Sequence, residues 1–298
     1  MTGIRLGYGT YGMGREDVLE AIPRLAAMGY RALELTIAPG WPTAPGLLDA
    51  AARVRLARAI QGAGFSPPVL MLLAQPFADC DGPDEIGRHL HEACRLAADL
   101  NFETDWPIVT TTLGGKIPDW ASGRDRIAQT CASMAAIAEE YGVILALEPH
   151  AGGNFNTPEK AVWLMDTVGH PNLRLNCDIS HFLAQGTDVS RALAQMIPFT
   201  VYAHVKDVEA PGHPPQFVLP GAGAFSWLAY FVELLQMGYA GQVVVEVSGQ
   251  IWGAPGYDPW RVAQFCYTAL NLALMAAELT FDRPPEVRSR WAAATHQV

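Results

Sequence analysis

Four stretches of this chain end in side chains equipped for chemistry. VILALEPH ends its apolar run at Glu148, with His150 two residues beyond. LRLNCDISH carries Asp178 and, three residues on, His181. TVYAHVKD carries His204, then Lys206 and Asp207, and QVVVEVSG carries Glu246. Each follows a short aliphatic or β-branched run, the pattern of a strand buried on both faces. The first two intervals each fit one strand–helix unit; the third adds the long loop Ala210–Ala224. Three carboxylates brought together repel unless a cation offsets them. Oxygen-rich ligation with one imidazole suits Mn2+ first, then Mg2+ or Co2+, with Zn2+ also compatible. Taken singly, a strand-end carboxylate often caps a helix, and a lone strand histidine is usually a core group. Four in register on successive strands point instead to one divalent metal ion.

The elements that must position them alternate along the chain. Candidate strands are Ile4–Tyr8, Arg31–Ile37, Val69–Leu73, Ile108–Thr112, Val143–Leu147, Leu173–Asp178, Thr200–Val205 and Gln242–Val247. Helical periodicity fills Asp17–Met28, Asp49–Ala63, Asp84–Leu100, Asp125–Tyr141, Pro158–Val168, Phe225–Met237 and Pro259–Leu279. Asp17, Asp49, Asp84, Asp125 and Thr157 stand where an N-cap is wanted, and glycines follow most helix ends. Strict alternation predicts an α/β fold, a single (β/α)8 barrel over residues 1–280 with a tail at 281–298. In such a barrel the C-terminal strand ends carry the catalytic groups. A doubly wound sheet is the alternative, but no GxGxxG follows the first strand and no GxxxxGK[ST] occurs.

Composition narrows the function classes. Half of the 298 residues are hydrophobic and 17% are charged, which excludes a disordered chain. The net charge of −10 argues against a nucleic-acid partner. No uninterrupted apolar run of about 18 residues suggests a membrane span, and MTGIRLGYGT does not read as a secretory signal. The five scattered cysteines fit buried thiols in a reduced, cytoplasmic protein.

LEPH, NCDISH, YAHVKD and VVVEVS make the chain resemble the xylose-isomerase-like superfamily of (β/α)8 barrels, the sugar isomerases and epimerases, over nearly its whole length. The resemblance implies that Glu148, Asp178, His204 and Glu246 bind one divalent metal, and that His181 contacts a substrate oxygen beside it. It implies a metal-dependent isomerase or epimerase of a sugar or keto-sugar. A metal Lewis acid stabilises a developing enediolate, and a nearby carboxylate takes the proton α to the carbonyl. Glu148 and Glu246 are the expected acid/base pair, one removing the proton and the other returning it.

Other residues have two readings each. Glu34 faces the pocket as a substrate contact or forms an ion pair under the rim. His150 binds substrate or serves as an extra acid/base, or only packs there. Lys206 and Asp207 bind a substrate oxygen or hold the seventh loop. Trp41, Trp106 and Trp252 stack on a sugar or pack loops and subunit contacts. His89 and His91, two apart on a helix, are surface residues.

The pattern departs from ketose 3-epimerases in one place: HVKDVEAPGH has no arginine after His204, where those enzymes carry a substrate-binding one. That departure, the long loop and GYDPW (Gly256–Trp260) resemble a less common branch acting on 3-keto sugars or inositol ketones. The alternatives are therefore a lyase on a 3-keto glycoside or inosose, related to C-glycoside deglycosidases that work with a small partner subunit, and a non-catalytic sugar-binding barrel or partner subunit. A homo-oligomer is expected. A three-zinc endonuclease is disfavoured, because the second to fourth strands end without histidine.

Overall fold

The computed structural model describes residues 3–73, 83–114, 119–212 and 214–281. Cys80 and, apart from Phe281, the tail expected at 281–298 lie outside the described residues. The side chain of Asp84 does too, although the helix it was expected to cap begins one residue earlier, at Pro83.

In chain order the elements are β1 (Arg5–Gly9), α1 (Val18–Met28), β2 (Ala32–Ile37), α2 (Ala50–Gly62), β3 (Val69–Leu72), α3 (Pro83–Leu100), β4 (Ile108–Thr112) and α4 (Trp120–Glu140). There follow β5 (Ile144–Glu148), α5 (Pro158–Val168), β6 (Leu173–Asn176), α6 (Ser180–Leu183), α7 (Val189–Met196), β7 (Thr200–Val205), β8 (Asp207–Val208) and β9 (Phe217–Val218). The chain continues through α8 (Trp227–Gln236), β10 (Gln242–Val245), α9 (Gly249–Trp252) and α10 (Pro259–Thr280). Strands β1 to β7 pair in sequence, and β10 pairs with both β7 and β1, closing a parallel barrel. This is the (β/α)8 barrel that the alternation predicts. All six residues of β2 and all four of β10 are buried, as strands covered by helices outside and packed side chains inside must be.

Local chemistry sets the helix ends. Asp17 accepts from the amides of Leu19 and Glu20, Asp49 from Ala52, and Thr157 from Lys160, all as expected of N-caps. Gly29 ends α1 at φ 113°, a left-handed conformation that a side chain would strain. One start differs from expectation. Helix α4 begins at Trp120, capped by Asp119 rather than Asp125. The extra turn packs Trp120 on Phe155 and Trp163, with ring centroids 6.2 and 5.2 Å away. Helix α7 and the antiparallel hairpin β8–β9 are further elements that periodicity did not reveal.

Helix α10 is long and apolar enough to cross a membrane by length and composition alone, at mean hydropathy 1.3. It instead buries Ala263, Cys266, Leu270, Leu274 and Ala277, spaced three and four apart, along the barrel wall. Cys94, Cys131, Cys177 and Cys266 are buried free thiols; burial pushes Cys94, Cys131 and Cys266 up to about 12.

Candidate metal centre and active site

The barrel brings the four expected ligands together. Glu148 is the last residue of β5, and Asp178 stands just past the end of β6. His204 lies on β7, in register with Val244, and Glu246 follows β10 with its amide donating to the Val205 carbonyl. One ligand atom from each of the four can be chosen so that all lie within 4.8 Å of one another. Donors about 2.0–2.2 Å from one ion, the usual range for oxygen and nitrogen ligands, sit at most about 4.4 Å apart. The cluster fits a single divalent ion after a small inward adjustment. Glu148, Asp178 and His204 are buried, and Glu246 is half-buried.

His204 is clamped from several sides. Its Nε2 is 2.6 Å from Oε2 of Glu34, while its Nδ1 faces Glu148 Oε1 at 3.5 Å and Glu246 Oε2 at 3.4 Å. Asn176 accepts from the His204 amide at 3.1 Å, and its Nδ2 lies 3.0 Å from Nδ1 and donates to Thr110 Oγ1. Burial alone would favour the neutral ring; Glu34 and Glu148 outweigh it and raise the His204 pKa well above the histidine range.

Lys206 supplies the charge that the carboxylates need. Its ammonium donates to Asp178 Oδ2 and Glu246 Oε2, and lies 3.9 Å from Glu148 Oε1. Burial opposes its charge, but Asp178, Glu246 and Glu148 outweigh burial and raise its pKa. Asp178 is lowered in turn, because Lys206 and His181 overcome desolvation. For Glu148 desolvation is likewise overcome, by the nearby His181 and His204 rings and by the Lys206 charge. An ion in this centre would share Asp178 and Glu246 with Lys206.

His181 and His150 form the next layer. The His181 ring is fully buried, with Nε2 3.4 Å from Glu148 Oε1 and 3.7 Å from Asp178 Oδ2. Neither ring nitrogen has a hydrogen-bond partner, so a buried polar ring faces the centre unsatisfied. His150 packs on it at 4.0 Å between centroids, and its Nδ1 accepts from the Gly152 amide. Burial, then the neighbouring His181, lower the His150 pKa to about 4.

The remaining expected residues divide. Glu34 is fully buried beneath the cluster and takes the ion-pair position of its two readings. Asp207 holds the seventh loop: it accepts from the Val208 amide and from Trp227 Nε1. Trp41 and Trp252 lie on the rim side, both packed against Tyr11, at 5.9 and 5.4 Å. Trp106 does not belong with them. It precedes β4 and is 45% exposed at the N-terminal face, opposite the site. His91 is half-buried against Tyr141 rather than fully on the surface.

Three neighbours went unseen in the sequence. Asn176 and Tyr202 stand two residues before Asp178 and His204, and a period of two would have flagged them as inward-facing. Phe217, in hairpin β8–β9, meets the His181 ring edge-on at 5.3 Å and lies 5.3 Å from the Lys206 ammonium. Nothing periodic in its loop announces it. Gln250 pins the hairpin by accepting from the Phe217 amide and donating to the Pro215 carbonyl.

Fold and centre together define a class, and the chain belongs to the xylose isomerase-like TIM barrel family, whose profile matches residues 22–262. Among curated proteins it is similar to the inosose isomerase of Halalkalibacterium halodurans, at 33% identity over 122 residues, 38% of this chain and 43% of that protein. It is also similar to the D-psicose 3-epimerase of Ruminiclostridium cellulolyticum, at 26% identity over 161 residues, 52% of this chain and 51% of that protein. The matching stretches thus span about half the length of these relatives, or less. Among solved structures, a xylose isomerase-like TIM barrel protein from Mycobacterium smegmatis in complex with magnesium superposes with a TM-score of 0.69 at 16% identity, covering 92% of this chain and 97% of that one.

Proposed function

We propose that this protein is a divalent-metal-dependent isomerase or epimerase of a sugar or keto-sugar. The observation that carries the reading is the convergence of Glu148, Asp178, His204 and Glu246 at the C-terminal rim of the barrel. The names of the two curated relatives, an inosose isomerase and a D-psicose 3-epimerase, support the same reaction class. A divalent ion held by these four residues, Mn2+ being the first choice, supplies a Lewis acid that polarises a carbonyl oxygen and offsets developing negative charge.

The chain's own groups supply the rest. Glu148 and Glu246, from β5 and β10 at the two ends of the strand run β5-β6-β7-β10, exchange the proton at the carbon next to the carbonyl, one removing it and the other returning it. His181, with both ring nitrogens unsatisfied, gives a substrate oxygen a hydrogen-bond partner. Lys206 holds Asp178 and Glu246 in place and keeps positive charge beside the developing oxyanion. Phe217 packs edge-on against His181, an apolar ring beside the reacting groups.

The same proton abstraction also begins a β-elimination, and the absence of an arginine after His204 favours that as the second reading. Product analysis separates the two. The Mn2+-loaded protein is incubated with ketoses, 3-keto sugars and inososes, and the products are weighed by mass spectrometry. An isomer of unchanged mass is expected; loss of water or an aglycone supports elimination, and no product from any of them contradicts both readings.

A further inference from the structure

We propose that Glu34 is a positioning residue: it fixes which nitrogen of His204 faces the metal, and so sets the affinity of the centre. The inference rests on the metal-centre reading above.

An imidazole offers one nitrogen to a metal, and the hydrogen bond made by the other decides which. Here the division is already made. Nε2 of His204 lies 2.6 Å from Glu34 Oε2, and Nδ1 faces Glu148 and Glu246. Nε2, 2.6 Å from a carboxylate oxygen, is the ring nitrogen placed to donate to Glu34. That leaves Nδ1 on the side of Glu148 and Glu246.

The surroundings hold Glu34 to this task. Tyr202 donates to the same Oε2 at 2.9 Å, which fixes the rotation of the carboxylate. The Tyr202 ring also packs edge-on against the His204 ring, at 5.2 Å. A Cβ at Gly9 would stand 2.8 Å from Glu34 Oε1, so the glycine of β1 keeps open the space that the carboxylate fills. Oε1 itself has no hydrogen-bond partner although the residue is fully buried. A carboxylate kept in a closed space with one oxygen unpaired is costly. Two donors on the other oxygen, one of them the candidate ligand histidine, give that placement a use.

The test titrates Co2+ into the metal-free full chain and reads both affinity and the visible ligand-field spectrum. The parent, Glu34→Gln, Glu34→Ala, Tyr202→Phe and Asp178→Asn are compared, with thermal melting of each metal-free protein as the folding control. Glu34→Gln and Glu34→Ala are expected to bind Co2+ about 10–100-fold more weakly, the usual effect of losing such an outer partner, with an altered spectrum. Tyr202→Phe is expected to shift affinity less and in the same direction, and it serves if Glu34→Ala fails to fold. Asp178→Asn is expected to lose binding. Parent-like affinity and spectrum in the Glu34 variants, with Asp178→Asn impaired, overturn the positioning role alone. Parent-like binding by Asp178→Asn overturns the metal centre itself.

Discussion

At the scale of single residues, Lys206 offsets part of the charge of three acids that share one rim. Its ammonium is buried and donates to Asp178 and Glu246. Removing one partner of a buried ionic group leaves uncompensated charge, at about 3–5 kcal/mol. Lys206→Met is therefore expected to destabilise the metal-free protein by that order, with saturating Mn2+ recovering much of the loss; denaturant melts with and without Mn2+ measure both. The chemistry-bearing residues were legible in the sequence because carboxylates and imidazoles rarely end apolar strands without a reason. The role of Glu34 was not, because it depends on a contact across the barrel between β2 and β7. Asn176 and Tyr202 were legible in principle from the period of two.

At the scale of elements, the caps offer a sharp comparison. The sequence places an N-cap at Asp125, whereas Asp119 accepts from the Ser122 amide and starts α4. Asp119→Ala is expected to cost about 0.5–2 kcal/mol, and Asp125→Ala, mid-helix and exposed, to stay within about 0.5 kcal/mol. Chemical denaturation of the two variants measures the difference; equal losses would reverse the assignment. The strands were readable because parallel strands buried on both faces are runs of apolar residues. Helix α7 was harder to read, since VSRALAQM is short and buries only Ala192, Leu193 and Met196. Each strand of the hairpin β8–β9 spans two residues, too few for a period to show.

For the whole molecule, closure of the barrel lets β5, β6, β7 and β10 deliver one side chain each to a common point. Binding of an ion at the proposed centre would be linked to folding, because a centre assembled from four strands does not exist in the unfolded chain. One divalent ion at about 100 times its Kd should stabilise the protein by about 2.7 kcal/mol. Scanning calorimetry should show a melting temperature that rises with Mn2+ and returns with chelator, and Asp178→Asn should abolish the response. The −10 net charge, which by itself only argued against a polyanionic partner, gains a partial location: Glu148, Asp178 and Glu246 gather at one rim, where Lys206 offsets part of their charge, and Glu34 lies against His204.

The most direct test of the proposed chemistry is proton exchange at the α-carbon. The parent with Mn2+, the chelated parent, Glu148→Gln and Glu246→Gln are each incubated with an inosose and with a ketohexose in D2O, and deuterium next to the carbonyl is followed by NMR. The account predicts exchange with the Mn2+-loaded parent, and its loss by a hundredfold or more on chelation or in either variant, on the order of the contribution of a positioned acid/base group. Exchange that survives both chelation and the loss of Glu148 or Glu246 would contradict it.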